Sequence, residues 1–158
     1  MAERLVLFVC TGNQCRSPMA EYLFRAHFAR QGGWTTASAG MMSGRGVPAS
    51  ANAVKALAEL GVDLRPHRSQ PLSRELVDAA FRVVVMTEFH RLQVTERFPD
   101  AVEKVFLLRE FDPAAAGEDI DDPVGLSLDV YRHIRDEIAT ALWGLDAYLS
   151  RETTEGLS

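Results

Sequence analysis

The sequence predicts an α/β fold, in which a single three-layer domain holds a four-stranded parallel sheet with helices on both faces. Two observations lead to this prediction. Short apolar runs typical of buried strands alternate along the chain with segments of helical periodicity. The length of 158 residues is that of one domain with a full core, and no repeat or linker divides it. We assign residues 1–150 to this domain and residues 151–158 to a polar, frayed C-terminal tail.

The first strand and the first helix are predicted on either side of a short polar loop. Residues 5–9 are all apolar, as in a strand that is buried on both faces. Ser17 is a favoured helix N-cap and Pro18 suits a first helical turn, so we expect a helix that runs to Phe28. Residues 10–17, here called the phosphate loop, therefore bring backbone N–H groups to a helix N-terminus, where anions bind.

The other elements follow from the same periodicities. Three further strands are expected at residues 34–39, 82–87 and 104–108, and four further helices at residues 50–60, 72–80, 88–98 and 127–149. Ser73 is predicted to cap the helix at 72–80, and Gly61 to follow the end of the helix at 50–60.

Three loops are expected at the same edge of this sheet. In doubly wound sheets, ligands bind beyond the carboxyl ends of the strands. The phosphate loop, the segment after Gly40 and a long acidic loop at residues 110–125 all follow strands. The sequence therefore predicts a binding site where these loops meet.

The phosphate loop begins with Cys10 and ends with Arg16 and Ser17. Cysteine attacks as a thiolate, and loop N–H groups, a helix N-terminus, a guanidinium and the Ser17 hydroxyl all stabilise the charged sulfur. The same donors suit a phosphate, whose oxygens Arg16 can bind in a bidentate fork. The sequence thus predicts in-line attack of the Cys10 sulfur on phosphorus. The predicted phosphate-binding residues are Thr11, Gly12, Asn13, Gln14, Cys15, Arg16 and Ser17.

Hydrolysis through a cysteinyl phosphate also needs a carboxylic acid. This group protonates the leaving atom and then, as a base, activates the water that clears the intermediate. Asp122 is the preferred candidate, because it precedes Pro123 on the acidic loop at the expected edge of the sheet. Asp121 and Asp112 are rivals, since both Asp-Pro pairs can also be simple turn formers.

These residues carry a family resemblance. The run CTGNQCRSPMAE, from Cys10 to Glu21, resembles the signature of the low-molecular-weight protein tyrosine phosphatases. Other segments fall in the expected order along nearly the whole chain, namely Ser38-Ala39-Gly40, His67, Phe111-Asp112-Pro113 and Asp122-Pro123-Val124-Gly125.

The resemblance implies a role for each of the matched residues. Cys10 would be the nucleophile, Arg16 the phosphate ligand and Asp122 the general acid. Asp112 would be structural. Asn13 would brace the phosphate loop, with hydrogen-bond support from Ser38 and His67.

Two departures from the family pattern leave the substrate open. Tyrosine-directed members usually carry aromatic residues after the late Asp-Pro pair, where this chain has Val124 and Gly125. The segment looks closer to the bacterial branch that includes protein-arginine phosphatases. Those enzymes are associated with a threonine at the position of Gln14, whereas many tyrosine phosphatases have an aliphatic residue there. The leading interpretation is a protein tyrosine phosphatase, and the nearest alternative is a protein-arginine phosphatase.

Two further function classes are weighed against this interpretation. A thiol-dependent arsenate reductase can share the fold and the loop, but it needs further cysteines, and none follows Cys15. A non-catalytic phosphoprotein-binding module would not need Cys10, Arg16 and Asp122 together. Cys15 itself is interpreted either as a core residue or as the redox partner of Cys10 in a reversible disulfide.

Composition limits the partners and the compartment. A net charge of −5 argues against a nucleic-acid-binding surface, and no apolar run approaches the length of a membrane span. Neither a signal peptide nor a disulfide framework is indicated, so we expect a cytoplasmic protein with reduced thiols. Two cysteines within one loop lack the other ligands of a zinc site, and no metal or cofactor is expected. The expected partners are phosphorylated proteins or peptides, bound by a monomer or a weak dimer.

Overall fold

The computed structural model describes residues 4–28 and 33–155. The strands are β1 (Arg4–Cys10), β2 (Trp34–Gly40), β3 (Ala80–Val85) and β4 (Val105–Leu107). The helices are α1 (Arg16–His27), α2 (Ala51–Ala58), α3 (Arg74–Ala79), α4 (Glu88–Arg97) and α5 (Leu128–Glu155), with 3-10 turns at Pro99–Lys104 and Leu108–Phe111.

The four strands form one parallel sheet in the order β2-β1-β3-β4. This arrangement confirms the predicted sheet. β1 lies at the centre, and its residues from Val6 to Val9 are completely buried. Cys10, the last residue of β1, lies beside Gly40, the last residue of β2. The loops that follow these strands therefore leave the sheet side by side.

Helices cover both faces of the sheet, as predicted, because successive residues of β1 point to opposite sides. Val6 and Phe8 belong to a core that also includes Met19 of α1 and Ile138 of α5. Leu7 and Val9 belong to a second core with side chains of α3 and α4. Two apolar layers thus hold the central strand, and with it the start of the phosphate loop, in a fixed position.

Of the two predicted helix caps, one is confirmed and one is wrong. The Ser50 and Ser73 hydroxyls accept hydrogen bonds from backbone N–H groups in the first turns of α2 and α3, which confirms the predicted cap at Ser73. The prediction that Ser17 caps the first helix is wrong. α1 begins at Arg16, and Cys15 occupies the cap position without a side-chain cap. Ser17 instead turns its hydroxyl toward Cys10 and Asn13 and contacts both side chains.

The C-terminal end also differs from the prediction. Residues 151–155, expected as part of a frayed tail, continue α5 as helix to Glu155. The Glu152 carboxylate forms an ion pair with Arg82 of β3, and this contact ties the last turns of the helix to the sheet. Residues 156–158 lie outside the described residues. No helix in residues 4–28 and 33–155 has the length and hydropathy needed to cross a membrane.

Candidate active site

The predicted loops meet in a pocket at the carboxyl edge of the sheet. The phosphate loop forms its floor, and the acidic loop forms one wall. Its lining residues are Cys10, Thr11, Gly12, Gln14, Cys15, Arg16, Asp122 and Val124. Two of the predicted phosphate-binding residues, Asn13 and Ser17, are buried behind the floor instead.

Cys10 stands at the base of the pocket with its side chain in contact with Ser17. The residue is only 2% exposed, and its Sγ lies 2.9 Å from the Ser17 Oγ. That hydroxyl oxygen accepts a hydrogen bond from the Asn13 side-chain amide at 2.9 Å. The Ser17 O–H is therefore free to donate to the sulfur.

Asn13 braces the phosphate loop from behind. Its backbone has a φ of 56°, in the left-handed region that asparagine tolerates better than most residues. The side-chain amide donates to the Oγ atoms of Ser17 and Ser38, both at 2.9 Å, and accepts from the backbone N–H of Gln70 at 3.0 Å. The backbone carbonyl accepts from His67 Nε2 at 2.7 Å. The structure thus places Ser38 and His67 in contact with Asn13.

Two supporting residues were not found from the sequence. The Ser38 hydroxyl donates to the buried Glu21 carboxylate at 2.7 Å, and Glu21 in turn pairs with Arg25. Glu21 lies one helical turn after Ser17, so its spacing carried a signal that it faces the loop. Gln70 contributes its backbone N–H to Asn13, and a backbone donor leaves no trace in the residue type.

Arg16 is buried and is held from several sides. Its Nη1 donates to the backbone carbonyl of Ile120 at 2.9 Å. Its Nη2 lies 3.5 Å from the Thr11 hydroxyl oxygen and 3.6 Å from the Asp122 carboxylate. Ile120 is fully buried, and its N–H donates to the backbone carbonyl of Met86 after β3. The guanidinium thus ties the phosphate loop to the acidic loop.

Of the three candidate acids, Asp122 alone lines the pocket. Its side chain is 44% exposed, and one carboxylate oxygen accepts from the Val124 N–H in the turn made by Asp-Pro. The buried Asp112 carboxylate accepts from the Ala114 N–H and closes a separate turn. Asp121 is exposed and is not among the lining residues.

Cys15 lines the same pocket, with Tyr131 and Ser50 behind it. Its Sγ lies 3.3 Å from the Tyr131 hydroxyl and 3.4 Å from the Ser50 Oγ. Burial raises the pKa of Cys15, and burial together with the contact to Cys15 raises the pKa of Tyr131 to about 12. Cys15 is thus favoured as the neutral thiol next to Cys10, and both cysteines are free. Tyr131 and Ser50 were not assigned to the site from the sequence.

His90 is a further residue that sequence reasoning missed. It lies in the first turn of α4, is 2% exposed, and places its Nε2 2.8 Å from the Thr11 Oγ1. Burial and the nearby Arg16 guanidinium lower the pKa of His90 to about 4. The imidazole is therefore neutral at physiological pH. Its position just after the end of β3 was the available signal, since that end lies at the predicted edge.

Curated relatives include proteins of three named activities. A protein-arginine-phosphatase of Geobacillus stearothermophilus is 42% identical over 147 residues, covering 93% of this chain and 97% of that protein. A probable low molecular weight protein-tyrosine-phosphatase, EpsP of Ralstonia solanacearum, is 34% identical over 94% of this chain and 95% of its own length. An arsenate reductase of Halalkalibacterium halodurans is 35% identical over 87% of this chain and 91% of its own length.

Solved structures agree with this likeness. The YwlE arginine phosphatase from Geobacillus stearothermophilus has a TM-score of 0.88 at 40% identity, over 96% of each chain. A serine mutant of YwlE, which carries a phosphorylated active-site serine, has a TM-score of 0.86 at 38% identity over 92% of this chain and 95% of its own. The model of the family described as low molecular weight phosphotyrosine protein phosphatase matches residues 5–155. The chain therefore belongs to the low molecular weight phosphotyrosine protein phosphatase family.

Proposed function

We propose that this phosphatase hydrolyses phosphoarginine in proteins through a phosphoryl group carried by Cys10. From the sequence alone, phosphotyrosine was the leading candidate substrate. The residues that line the pocket favour phosphoarginine instead. The lining contains the Gln14 amide and the Asp122 carboxylate but no aromatic side chain. A guanidinium carries several N–H donors that need acceptors, whereas a phenol ring gains most from apolar or aromatic walls. This polar wall is the observation that carries the proposal.

The reaction follows from the positions of Cys10, Arg16 and Asp122. The Cys10 thiolate attacks phosphorus while loop N–H groups and Arg16 hold the phosphoryl oxygens. The bond from phosphorus to the guanidinium nitrogen breaks, and Asp122 gives that nitrogen its proton. Asp122 then takes a proton from water, which attacks the cysteinyl phosphate and releases inorganic phosphate. The phosphorylated serine in the YwlE mutant supports phosphoryl transfer to a side chain at the nucleophile's position.

Phosphotyrosine is the second candidate, favoured by one specific observation. Val124 lines the pocket and is 64% exposed, so it offers an apolar surface against which an aryl ring can pack. A relative named as a tyrosine phosphatase matches nearly the whole chain at 34% identity. Arsenate reduction is not proposed, since the sequence holds only two cysteines to carry the electrons.

The decisive experiment compares three peptides that differ only in the phosphorylated residue. We expect kcat/KM for phosphoarginine to exceed that for phosphotyrosine by about tenfold or more, because an aryl phosphate leaves the polar wall without partners. Phosphoserine is expected to be a poor substrate, since its short side chain does not reach the loop. Equal or faster turnover of phosphotyrosine would contradict the assignment to arginine.

A pair of variants at Gln14 tests the reason for the preference. Gln14→Ile removes the amide acceptor and should lower the ratio of phosphoarginine to phosphotyrosine turnover. Gln14→Glu keeps an acceptor oxygen and should leave the ratio in favour of arginine. If both variants change the ratio equally, the acceptor is not the cause.

We also propose phosphorylated proteins as the partners, with the reaction in the cytoplasm. The free thiols of Cys10 and Cys15 support a reducing compartment. A monomer or weak dimer is the proposed state in solution. The exposure of a few single apolar side chains at the surface fits this state. Light scattering across a concentration series tests this state.

A further inference from the structure

His90 has a contact to the phosphate loop that the reaction described above does not use. It is the third residue of α4, where its backbone N–H donates to the cap residue Thr87 at 3.1 Å. Its side chain is buried, with Nε2 2.8 Å from the Thr11 Oγ1. Among the described residues, Nδ1 is buried without any hydrogen-bond partner.

The missing partner of Nδ1 decides which ring nitrogen carries the proton. A neutral imidazole has one N–H donor and one acceptor nitrogen. If Nδ1 carried the proton, a buried N–H would lack an acceptor, which is the rarer and costlier defect. With the proton on Nε2, only a lone pair stays unpaired, and His90 donates to the Thr11 hydroxyl oxygen.

This assignment fixes the direction of the Thr11 hydroxyl proton. The Thr11 Oγ1 receives the His90 N–H and also faces the Arg16 Nη2 at 3.5 Å, so both lone pairs are directed at donors. Among the described residues, the contacts of the Thr11 Oγ1 are to these two nitrogens, and no carbonyl oxygen lies within hydrogen-bond distance to accept the hydroxyl proton. The remaining O–H points into the pocket that Thr11 lines.

We propose that the Thr11 hydroxyl is a side-chain donor to the transferring phosphoryl group, and that His90 is the positioning residue that orients it. The proposal rests on phosphoryl transfer at Cys10, but it is independent of the choice between arginine and tyrosine. The donor would add to the loop N–H groups and Arg16 where negative charge is bound. It contacts the phosphoryl group alone, so its effect should be the same for every leaving group.

A double-mutant cycle between Thr11 and His90 tests this proposal. Thr11→Val removes the hydroxyl at nearly constant shape and should lower kcat by about tenfold to a hundredfold. Thr11→Ser keeps the hydroxyl and should retain most of the activity. His90→Leu should lower kcat, leave KM nearly unchanged, and have no further effect when Thr11 is already valine. His90→Gln, which keeps an N–H near the Nε2 position, should restore much of the loss.

Phe89→Ala provides a matched control next to His90. Phe89 is exposed and does not line the pocket, so this variant should leave kcat unchanged. Thermal unfolding of each variant separates loss of fold from loss of the donor. The proposal is overturned if the effects of Thr11→Val and His90→Leu multiply, or if folded His90→Gln stays as slow as His90→Leu.

The substrates are chosen so that this test does not depend on the proposed function. Each variant is assayed on an activated aryl phosphate as well as on phosphoarginine and phosphotyrosine peptides. If phosphoarginine is not the preferred substrate, the order of the peptide turnover rates changes. The comparison of the Thr11 and His90 variants in the double-mutant cycle does not change. If no phosphoryl compound is turned over, the same cycle is measured by calorimetry with vanadate, which mimics the phosphoryl group during transfer, and an unchanged affinity in Thr11→Val overturns the proposal.

Discussion

The pocket is bounded by two loops that are built in opposite ways. The phosphate loop, which forms the floor, is here called the rigid wall, and the acidic loop is called the exposed wall. The phosphate loop is buried, and Asn13 behind it uses both amide hydrogens, the amide oxygen and the backbone carbonyl in hydrogen bonds. The acidic loop exposes Asp122 and Val124, and its buried Ile120 anchors it to the body of the protein. We therefore expect the first wall to be fixed before substrate arrives and the second to have room to adjust.

This difference suits the two tasks of the reaction. Binding of a phosphoryl group depends on donors that are already aimed, since reorientation during the reaction costs free energy. Proton transfer needs an acid that meets the leaving atom, the water and the bulk solvent in turn. The contact from Arg16 to the Ile120 carbonyl lets the buried phosphate loop position the exposed acidic loop.

The largest effect is expected from Cys10→Ser, which changes the nucleophile of the rigid wall. A serine hydroxyl does not ionise near neutral pH, so turnover should fall below detection. The loop donors remain, and the variant should still bind inorganic phosphate and slowly accept one phosphoryl group, visible by mass spectrometry. Cys10→Ala is the control that binds phosphate and stays unmodified. Measurable turnover by the alanine variant would exclude Cys10 as the nucleophile.

The next effect is expected from Asp122→Asn on the exposed wall. Loss of the proton donor should lower kcat by about a hundredfold to a thousandfold. The decrease should be larger for phenyl phosphate than for nitrophenyl phosphate, because the nitrophenolate leaves without help from an acid. Asp121→Asn is the matched control and should retain activity. An equal decrease of kcat/KM on both esters, which reports the first phosphoryl transfer, would mean that Asp122 does not protonate the leaving group.

The sequence predicted the fold and the rigid wall well for a physical reason. Buried parallel strands need continuous apolar runs, and β1 and β3 carry them as Val6–Val9 and Val83–Val85. A strand that leads through a short polar loop into a helix can adopt few geometries. The spacing of Cys10 and Arg16 was therefore enough to place both residues in the phosphate loop. Sheet topology then brings the acidic loop to the same edge.

The missed residues share one property, which is that they act through tertiary contacts. His90, Tyr131 and Ser50 reach the phosphate loop from helices that are distant in the sequence, at 2.8 to 3.4 Å. The error at Ser17 has the same origin, since its hydroxyl serves Cys10 in place of a helix cap. The helical continuation to Glu155 likewise depends on a partner, Arg82, that local periodicity does not show.

Acid should loosen the rigid wall, because two neutral histidines support it. Burial lowers the pKa of His67 and lowers that of His90 to about 4, against an ordinary value of about 6.5. Between these values the unfolded chain binds more protons, so stability falls as pH decreases from 6.5 toward 4. His90 alone should account for about 3 kcal/mol, and His67 adds a loss of the same sign.

Urea unfolding at several pH values measures this loss. His90→Gln should flatten the pH dependence of the free energy of unfolding between pH 6.5 and 4. The exposed His133 provides the control, and His133→Gln should leave the slope unchanged. An unaltered slope in the His90 variant would show that the pKa of His90 is the same in the folded and the unfolded protein.

A smaller effect is expected from Gly40→Ala, behind the phosphate loop. An added Cβ would lie 2.6 Å from both the Thr11 carbonyl oxygen and the Ser43 Cβ, so the loop backbone must shift. We expect about 2 kcal/mol of lost stability, as for overpacked cores, together with a decrease in kcat. Gly44→Ala is the control, because its added Cβ meets only Val47 at 4.0 Å.

The smallest effect is expected from Gly125→Ala on the acidic loop. Its φ of 77° strains an alanine by about 1 kcal/mol, but an added Cβ meets nothing within 4 Å. The strain stays local, because the buried Ile120 still anchors the loop and still accepts from Arg16. Stability should fall by less than in Gly40→Ala, and KM should change more than kcat. If Gly125→Ala destabilises the protein as much as Gly40→Ala, the two walls are equally rigid and the division of tasks between them is wrong.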